Sequence, residues 1–371
     1  MTFGVFSADS HMDLGFLPVD AFTRNIAASE RDNVPQVQET KNGMSWVLGD
    51  KELSPWGLRW AELADRGDRG KRMREVGFFS DENRPADPTL RIADQDLDKV
   101  DGEVIYGIFR LVDSLKDDHD QLYASLFAYN NFIADFNSKD PNRLIGLGLL
   151  PCHSPEAAVD EVKRIGKNGL GLKGAEFAFA FASQPIWHEV WEPLWAAAEE
   201  HELVLSFHIR VGTTTVSHFS PEPASAAAGL CVAAMQSDEA LASIVMCGAL
   251  ERHPGLKVVL AESGIGWIPY LLDRMDYEWA DNYDWHYSKL IKTRPSDLFR
   301  RQVFATYQQD NVGPHLARQY APDNFMWGSD YPHPDGTWPD SPAFLEKGFA
   351  GVEAEIKSNI TNNNVRKLYN L

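Results

Sequence analysis

Thiols are scarce in this chain of 371 residues. Its three cysteines, Cys152, Cys231 and Cys247, stand far apart with no CxxC spacing. That excludes a zinc knuckle or dithiol redox motif and suits a reducing compartment. Positive charge is also in short supply: 35 Lys and Arg face 54 Asp and Glu, a net charge of −19. Nucleic acid and anionic membrane are therefore excluded as partners, because phosphate binding needs clustered cations. The one basic run, Arg66 to Arg74, is broken by Gly67, Asp68 and Gly70 and reads as a solvated face. No apolar run approaches the ~20 residues of a membrane span. The chain opens on a strand-like segment without the basic-then-apolar pattern of a secretory signal, so the expected compartment is the cytoplasm. There is no Walker loop and no Gly-x-Ser-x-Gly elbow. Gly169-Leu170-Gly171-Leu172-Lys173-Gly174 matches GxGxxG but runs from a helix end into a strand, the reverse of a dinucleotide fingerprint.

What is present is a rhythm. Eight β-like runs occur at Phe3–Phe6, Glu103–Ile108, Leu144–Leu150, Leu170–Lys173, Leu203–His208, Lys257–Ala261, Gln302–Ala305 and Phe325–Trp327. Helical patterns separate most of them. Ser154-Pro155-Glu156 is an N-cap with Pro at the first helical position, and Asn168-Gly169 stops that helix. Trp191, Leu194 and Trp195 share one face of another helix. The last helix, Asn362 to Tyr369, is expected on the outer ring. Strands alternating with helices point to α/β, and eight of them to a (β/α)8 barrel, with an open doubly wound sheet as the alternative. The expected organisation is one domain, 1–371, with an insertion or cap at about 21–88 after the first strand. Such barrels need only ~250 residues. Trp46, Trp56 and Trp60 in that insertion are expected to pack over the barrel mouth or against a second subunit.

Candidate chemistry gathers at strand ends. Asp9 and His11 follow the first run, His208 ends the fifth, Glu262 follows the sixth and Asp330 the eighth. In a closed barrel these tips are neighbours around one mouth, where such folds keep their active sites. Two imidazoles and three carboxylates can hold a divalent cation with positions open to water or substrate. Residues two apart on an extended chain point to the same side, which pairs Asp9 with His11. Asp13 and Glu176 are further carboxylates for a second cation. His333 is placed beside the metal, Arg210 could fork onto a substrate carboxylate, and Trp267, His218 and Trp338 could wall the pocket.

Four segments carry a resemblance: Asp9-Ser10-His11, Phe207-His208, Ala261 to Pro269, and Trp327-Gly328-Ser329-Asp330-Tyr331-Pro332-His333. Together they resemble the amidohydrolase-related family, the branch that includes aminocarboxymuconate semialdehyde decarboxylase and resorcylate-type decarboxylases. The resemblance implies a metal held by Asp9, His11, His208 and Asp330, and a homodimer as a family-level expectation. Asp9 stands where many members have His, and Glu262 likewise. Both changes add hard oxygen donors and shift the preference from zinc towards manganese, iron or magnesium. The cofactor expected is Zn, Mn or Fe, as one or two ions, and the partner a small organic substrate. The leading expectation is hydrolysis through metal-activated water, with Asp330 and Glu262 as acid/base groups. The alternatives are non-oxidative decarboxylation of an aromatic or unsaturated acid, and oxygenation at a dinuclear iron or manganese–iron site.

Overall fold

The computed structural model describes residues 3–57, 67–81, 83–209, 216, 220–282 and 289–371. Its strands begin with β1 (Ser7–His11), β2 (Gln36–Thr40), β3 (Gly43–Leu48), β4 (Lys51–Pro55), β5 (Glu103–Tyr106) and β6 (Leu144–Gly146). They continue with β7 (Gly148–Leu149), β8 (Gly174–Glu176), β9 (Val204–His208), β10 (Val258–Ala261), β11 (Val303–Tyr307) and β12 (Phe325–Trp327). All except β2, β3 and β4 run parallel. β1 pairs with β5 and β5 with β6. A second ladder runs without a break from β7 to β12. Two connections make these one ring. β6 continues into β7 through Leu147, whose amide donates to Ile105 O. At the other seam Asp330 N donates to Asp9 O (2.9 Å) and His11 N to Tyr331 O (2.6 Å). The architecture is a (β/α)8 barrel, as the amphipathic rhythm implies.

Two strands lie later in the sequence than the apolar runs suggest. Gly4 adopts a left-handed conformation (φ 74°), and the Phe3 and Gly4 amides turn onto the Asp101 carboxylate, so β1 starts at Ser7. Asp9 and His11 consequently sit inside the first strand rather than beyond it. Gly171 (φ 74°) likewise breaks Leu170–Lys173 and moves that strand to Gly174–Glu176. The seventh strand reaches Tyr307, two residues past the apolar run.

Inside the ring, Phe6, Ala8, Val104, Ile145, Val204, Val259 and Met326 form a core of their own. Val365, Leu368 and Tyr369 of the helix Asn364–Tyr369 belong to it. The last helix therefore plugs the barrel floor instead of joining the outer ring, because its apolar face matches the open N-terminal ends of the strands. The outer helices follow their sequence signals. Ser154 caps Pro155–Ile165 by accepting from Ala157 N, and Trp191, Leu194 and Trp195 are buried.

The insertion holds an antiparallel sheet, β2–β3–β4, which the sequence pattern did not disclose. Trp46 is fully buried against Phe22, in a cluster with Met12, Leu14 and Leu17. Trp56 donates its indole N–H to Leu17 O. Both therefore clamp the chain just after β1, and the buried Trp46 is not available to a second subunit. Trp60 lies outside the described residues. No helix among the described residues is long and apolar enough to cross a membrane.

Candidate metal centre

The C-terminal tips of β1, β9 and β12 bring Asp9, His11, His208 and Asp330 together. His11 Nε2 lies 3.1 Å from Asp330 Oδ1 and 3.5 Å from Asp9 Oδ1, and His208 Nε2 lies 4.0 Å from Asp9 Oδ1. Glu262 Oε2 lies 3.5 Å from His208 Nε2. Two ligands at ~2.1 Å from one cation are separated by roughly 3.0 Å when cis and 4.2 Å when trans. All four distances fall in that window. Asp9 Oδ1, His11 Nε2 and His208 Nε2 are buried and make no hydrogen bond. Each such orphan costs about 1–3 kcal/mol in a closed protein interior. Three orphans converging on one point, with carboxylate and imidazole chemistry, fit a divalent cation.

The rest of the site aims these atoms. Asp9 Oδ2 accepts from Thr306 Oγ1 (2.6 Å) and Glu262 N (2.9 Å), which leaves Oδ1 facing inward. A Cβ at Gly328 would meet Asp9 Cβ at 2.3 Å, so only glycine lets β12 pass this close to β1. Arg91, fully buried, donates to His11 O, Ser10 Oγ and Glu103 Oε2 and so braces the β1 tip from behind. Glu262 (φ 53°) and Asp330 (φ 58°) both hold left-handed backbone. Strain of that kind, about 1–3 kcal/mol each, persists where surrounding structure imposes it, and it clusters at functional sites.

Electrostatics reflect the crowding. Burial and the neighbouring His333 act to lower His11, yet its contacts with Asp330 and Asp9 raise it to about 10. Burial, and then the charges of Asp330 and Asp9, push the Glu262 carboxyl well above its usual range. Against burial, the His333 charge and close contacts with His11 and His333 hold Asp330 far below the ordinary carboxylate value. Burial and His11 lower His208, keeping its imidazole neutral, the form that binds metal.

An amidohydrolase family model matches residues 112–371, well over half of the sequence. This chain belongs to the amidohydrolase family. It is 27% identical over 189 residues to gamma-resorcylate decarboxylase from Rhodococcus jostii (strain RHA1), covering 48% of this chain and 56% of that one. It is 26% identical over 253 residues to 2-amino-3-carboxymuconate-6-semialdehyde decarboxylase from Dictyostelium discoideum, covering 66% and 63%. The chain thus spans less than two thirds of the length of these curated relatives. Among solved structures, the 5-carboxyvanillate decarboxylase of Novosphingobium aromaticivorans DSM 12444, complexed with manganese and 4-hydroxy-3-methoxy-5-nitrobenzoic acid, aligns with a TM-score of 0.68. That match covers 100% of this chain and 97% of that one at 19% identity.

Within this amidohydrolase barrel the other sequence candidates divide. Asp13 stands outside the inner cluster and pairs with His333, whose Nε2 lies 3.0 Å from Asp13 Oδ2, while His333 Nδ1 lies 3.1 Å from Asp330 Oδ1 and makes with His11 and Asp330 a second group that could hold a metal. Glu176 sits buried at the β8 tip with Oε1 unpaired, and burial lifts it to about 7. Trp267 donates to Ser263 O and packs against the core, while Trp338 is buried with Phe78 and Tyr331. Arg210 and His218 lie outside the described residues. The sequence reading missed Thr306 and Gln308. Gln308 Nε2 donates to both Glu262 Oε1 (3.1 Å) and Asp330 Oδ2 (3.0 Å). Both residues were legible in principle. Continuing the alternation of β11 beyond Ala305 puts them on one side of the strand tip.

Proposed function

We propose that this amidohydrolase-family enzyme is a metal-dependent, non-oxidative decarboxylase of a small aromatic or unsaturated carboxylic acid. The observation that carries the reading is the agreement of relatives with site: the curated relatives are carboxy-lyases, and the donor set here is weighted towards oxygen. Asp9, Asp330 and Glu262 beside His11 and His208 favour a hard cation such as manganese over zinc. Hydrolysis, the leading expectation from sequence, has less support, because both curated relatives described above break carbon–carbon bonds.

A bound cation would fix the substrate carboxylate and a neighbouring oxygen and draw electron density towards them. The protein supplies the proton. In the reaction the bond between carbon and carboxylate breaks, carbon dioxide leaves, and the electron pair stays on carbon, which takes a proton held by His333 and handed on through Asp330. His333 Nδ1 faces Asp330 Oδ1 and its Nε2 faces Asp13. The His333 and Asp13 side chains are each 22% exposed, whereas that of Asp330 is buried. The pair can therefore return a solvent proton to Asp330 after each turnover. His11 and His208 orient the substrate by holding the cation, and the buried walls around them exclude bulk water.

The test uses chelator-stripped protein reloaded with Mn²⁺ and a panel of hydroxylated benzoates and unsaturated acids. Decarboxylation gives carbon dioxide, one deuterium on the vacated carbon in D₂O, and no oxygen from ¹⁸O-water in the product. A substrate whose product carries solvent oxygen without releasing carbon dioxide would return the enzyme to the hydrolases.

A further inference from the structure

We infer that the carboxamide of Gln308 holds the place of a second cation and thereby keeps the metal centre mononuclear. Gln308 follows β11 at the barrel tip, between the strand ends that carry Glu262 and Asp330. Its Nε2 lies 3.1 Å from Glu262 Oε1 and 3.0 Å from Asp330 Oδ2. The amide nitrogen is the atom that faces both oxygens, and it has one N–H for each.

Each carboxylate is thereby divided. Asp330 turns Oδ1 to His11 Nε2 and Oδ2 to the amide. Glu262 turns Oε2 to His208 Nε2 and Oε1 to the same amide. The inner oxygens point at the cation site and the outer pair ends on one NH₂ group. In two-metal sites the ions lie roughly 3.5–4 Å apart, and a carboxylate can lend one oxygen to each. Asp330 and Glu262 have the form of such bridges. What stands at the far end is an amide whose two N–H bonds satisfy both outer oxygens without a further double charge. His333 faces Asp13 and the inner oxygen of Asp330, not the outer pair that meets the amide.

The inference rests on the one-cation site and not on the reaction, so its test reads metal rather than turnover. Full-length protein stripped by chelator is titrated with Mn²⁺ alone, followed by elemental analysis and electron paramagnetic resonance. The wild type takes about one Mn²⁺ per chain with the six-line spectrum of an isolated ion. Gln308→Glu, which exchanges the donor for a third carboxylate, takes about two, with a spectrum broadened by coupling between neighbouring ions. Gln308→Ala, which adds no charge, takes a second and weaker equivalent and serves if the first variant does not fold. Circular dichroism and thermal unfolding identify the folded proteins. A wild type that binds two coupled ions overturns the inference, as does a folded variant that stays at one. Neither result touches the carbon dioxide assay, which tests the lyase reading separately.

Discussion

Thr306→Val removes one hydroxyl from behind the metal site and almost nothing else. Thr306 is buried, and valine fills the same volume, so no cavity forms. The hydroxyl donates to Asp9 Oδ2 at 2.6 Å and accepts from Glu262 N at 2.7 Å. A buried hydrogen bond to a charged group contributes about 1.5–3 kcal/mol, and loss of such support behind a ligand typically costs 10–100-fold in metal affinity. Two effects oppose each other. Without the hydroxyl the Asp9 carboxylate is freer to rotate, which weakens the site, but it is also a more basic ligand, which strengthens it. Glu262 N still donates to the same oxygen, so orientation is only half lost. The net expectation is the lower end, a loss of about ten-fold or ~1.4 kcal/mol. Isothermal titration of stripped protein with Mn²⁺ measures it directly. An affinity within about three-fold of wild type, in a folded variant, would show that Thr306 does not orient Asp9.

Three other outcomes follow from the same geometry. His208→Ala should lose bound metal and activity together, because the fixed tips of β1 and β12 cannot move to replace its nitrogen; inductively coupled plasma analysis showing wild-type metal would remove His208 from the site. Arg91→Ala should destabilise the fold by about 3–5 kcal/mol, since it strands the buried Glu103 carboxylate and the His11 carbonyl; urea unfolding that matches wild type would contradict this. Burial lifts Asp98 to about 8, so the folded state favours its protonated form. Its contribution to stability is therefore greatest at low pH and falls as pH rises from the ordinary carboxylate range to about 8. Asp98→Asn, which can still accept from Ser341 N, should flatten that slope in melts taken between those limits, and an unchanged slope would count against the assignment.

The barrel was legible because short apolar runs in or beside most of its strands alternate with helical patterns, and the site because its residue types sit at strand ends. What sequence placed wrongly has physical causes. A left-handed Gly4 and Gly171 displace two strands from their apolar runs, and hydrophobicity alone cannot see a glycine's φ. The polar continuation of β11 through Thr306 to Gln308 was truncated because both side chains satisfy carboxylates inside the site rather than pack in oil. The sheet β2–β3–β4 was hidden because much of it is exposed and its strands read as charged loop. The role of Asp13 was open to sequence, but its pairing with His333 was not, since 320 positions separate them.

The seam of the barrel is also its candidate metal site. The hydrogen bonds that join the first strand to the last run through Asp9, His11, Asp330 and Tyr331, and three of the candidate ligands, Asp9, His11 and Asp330, are among these residues. A cation there would act as a clasp between two strands drawn from far-apart stretches of the sequence. Loss of the ion would then show first as fraying along this one seam, with the arc from β7 to β11 still protected in hydrogen exchange.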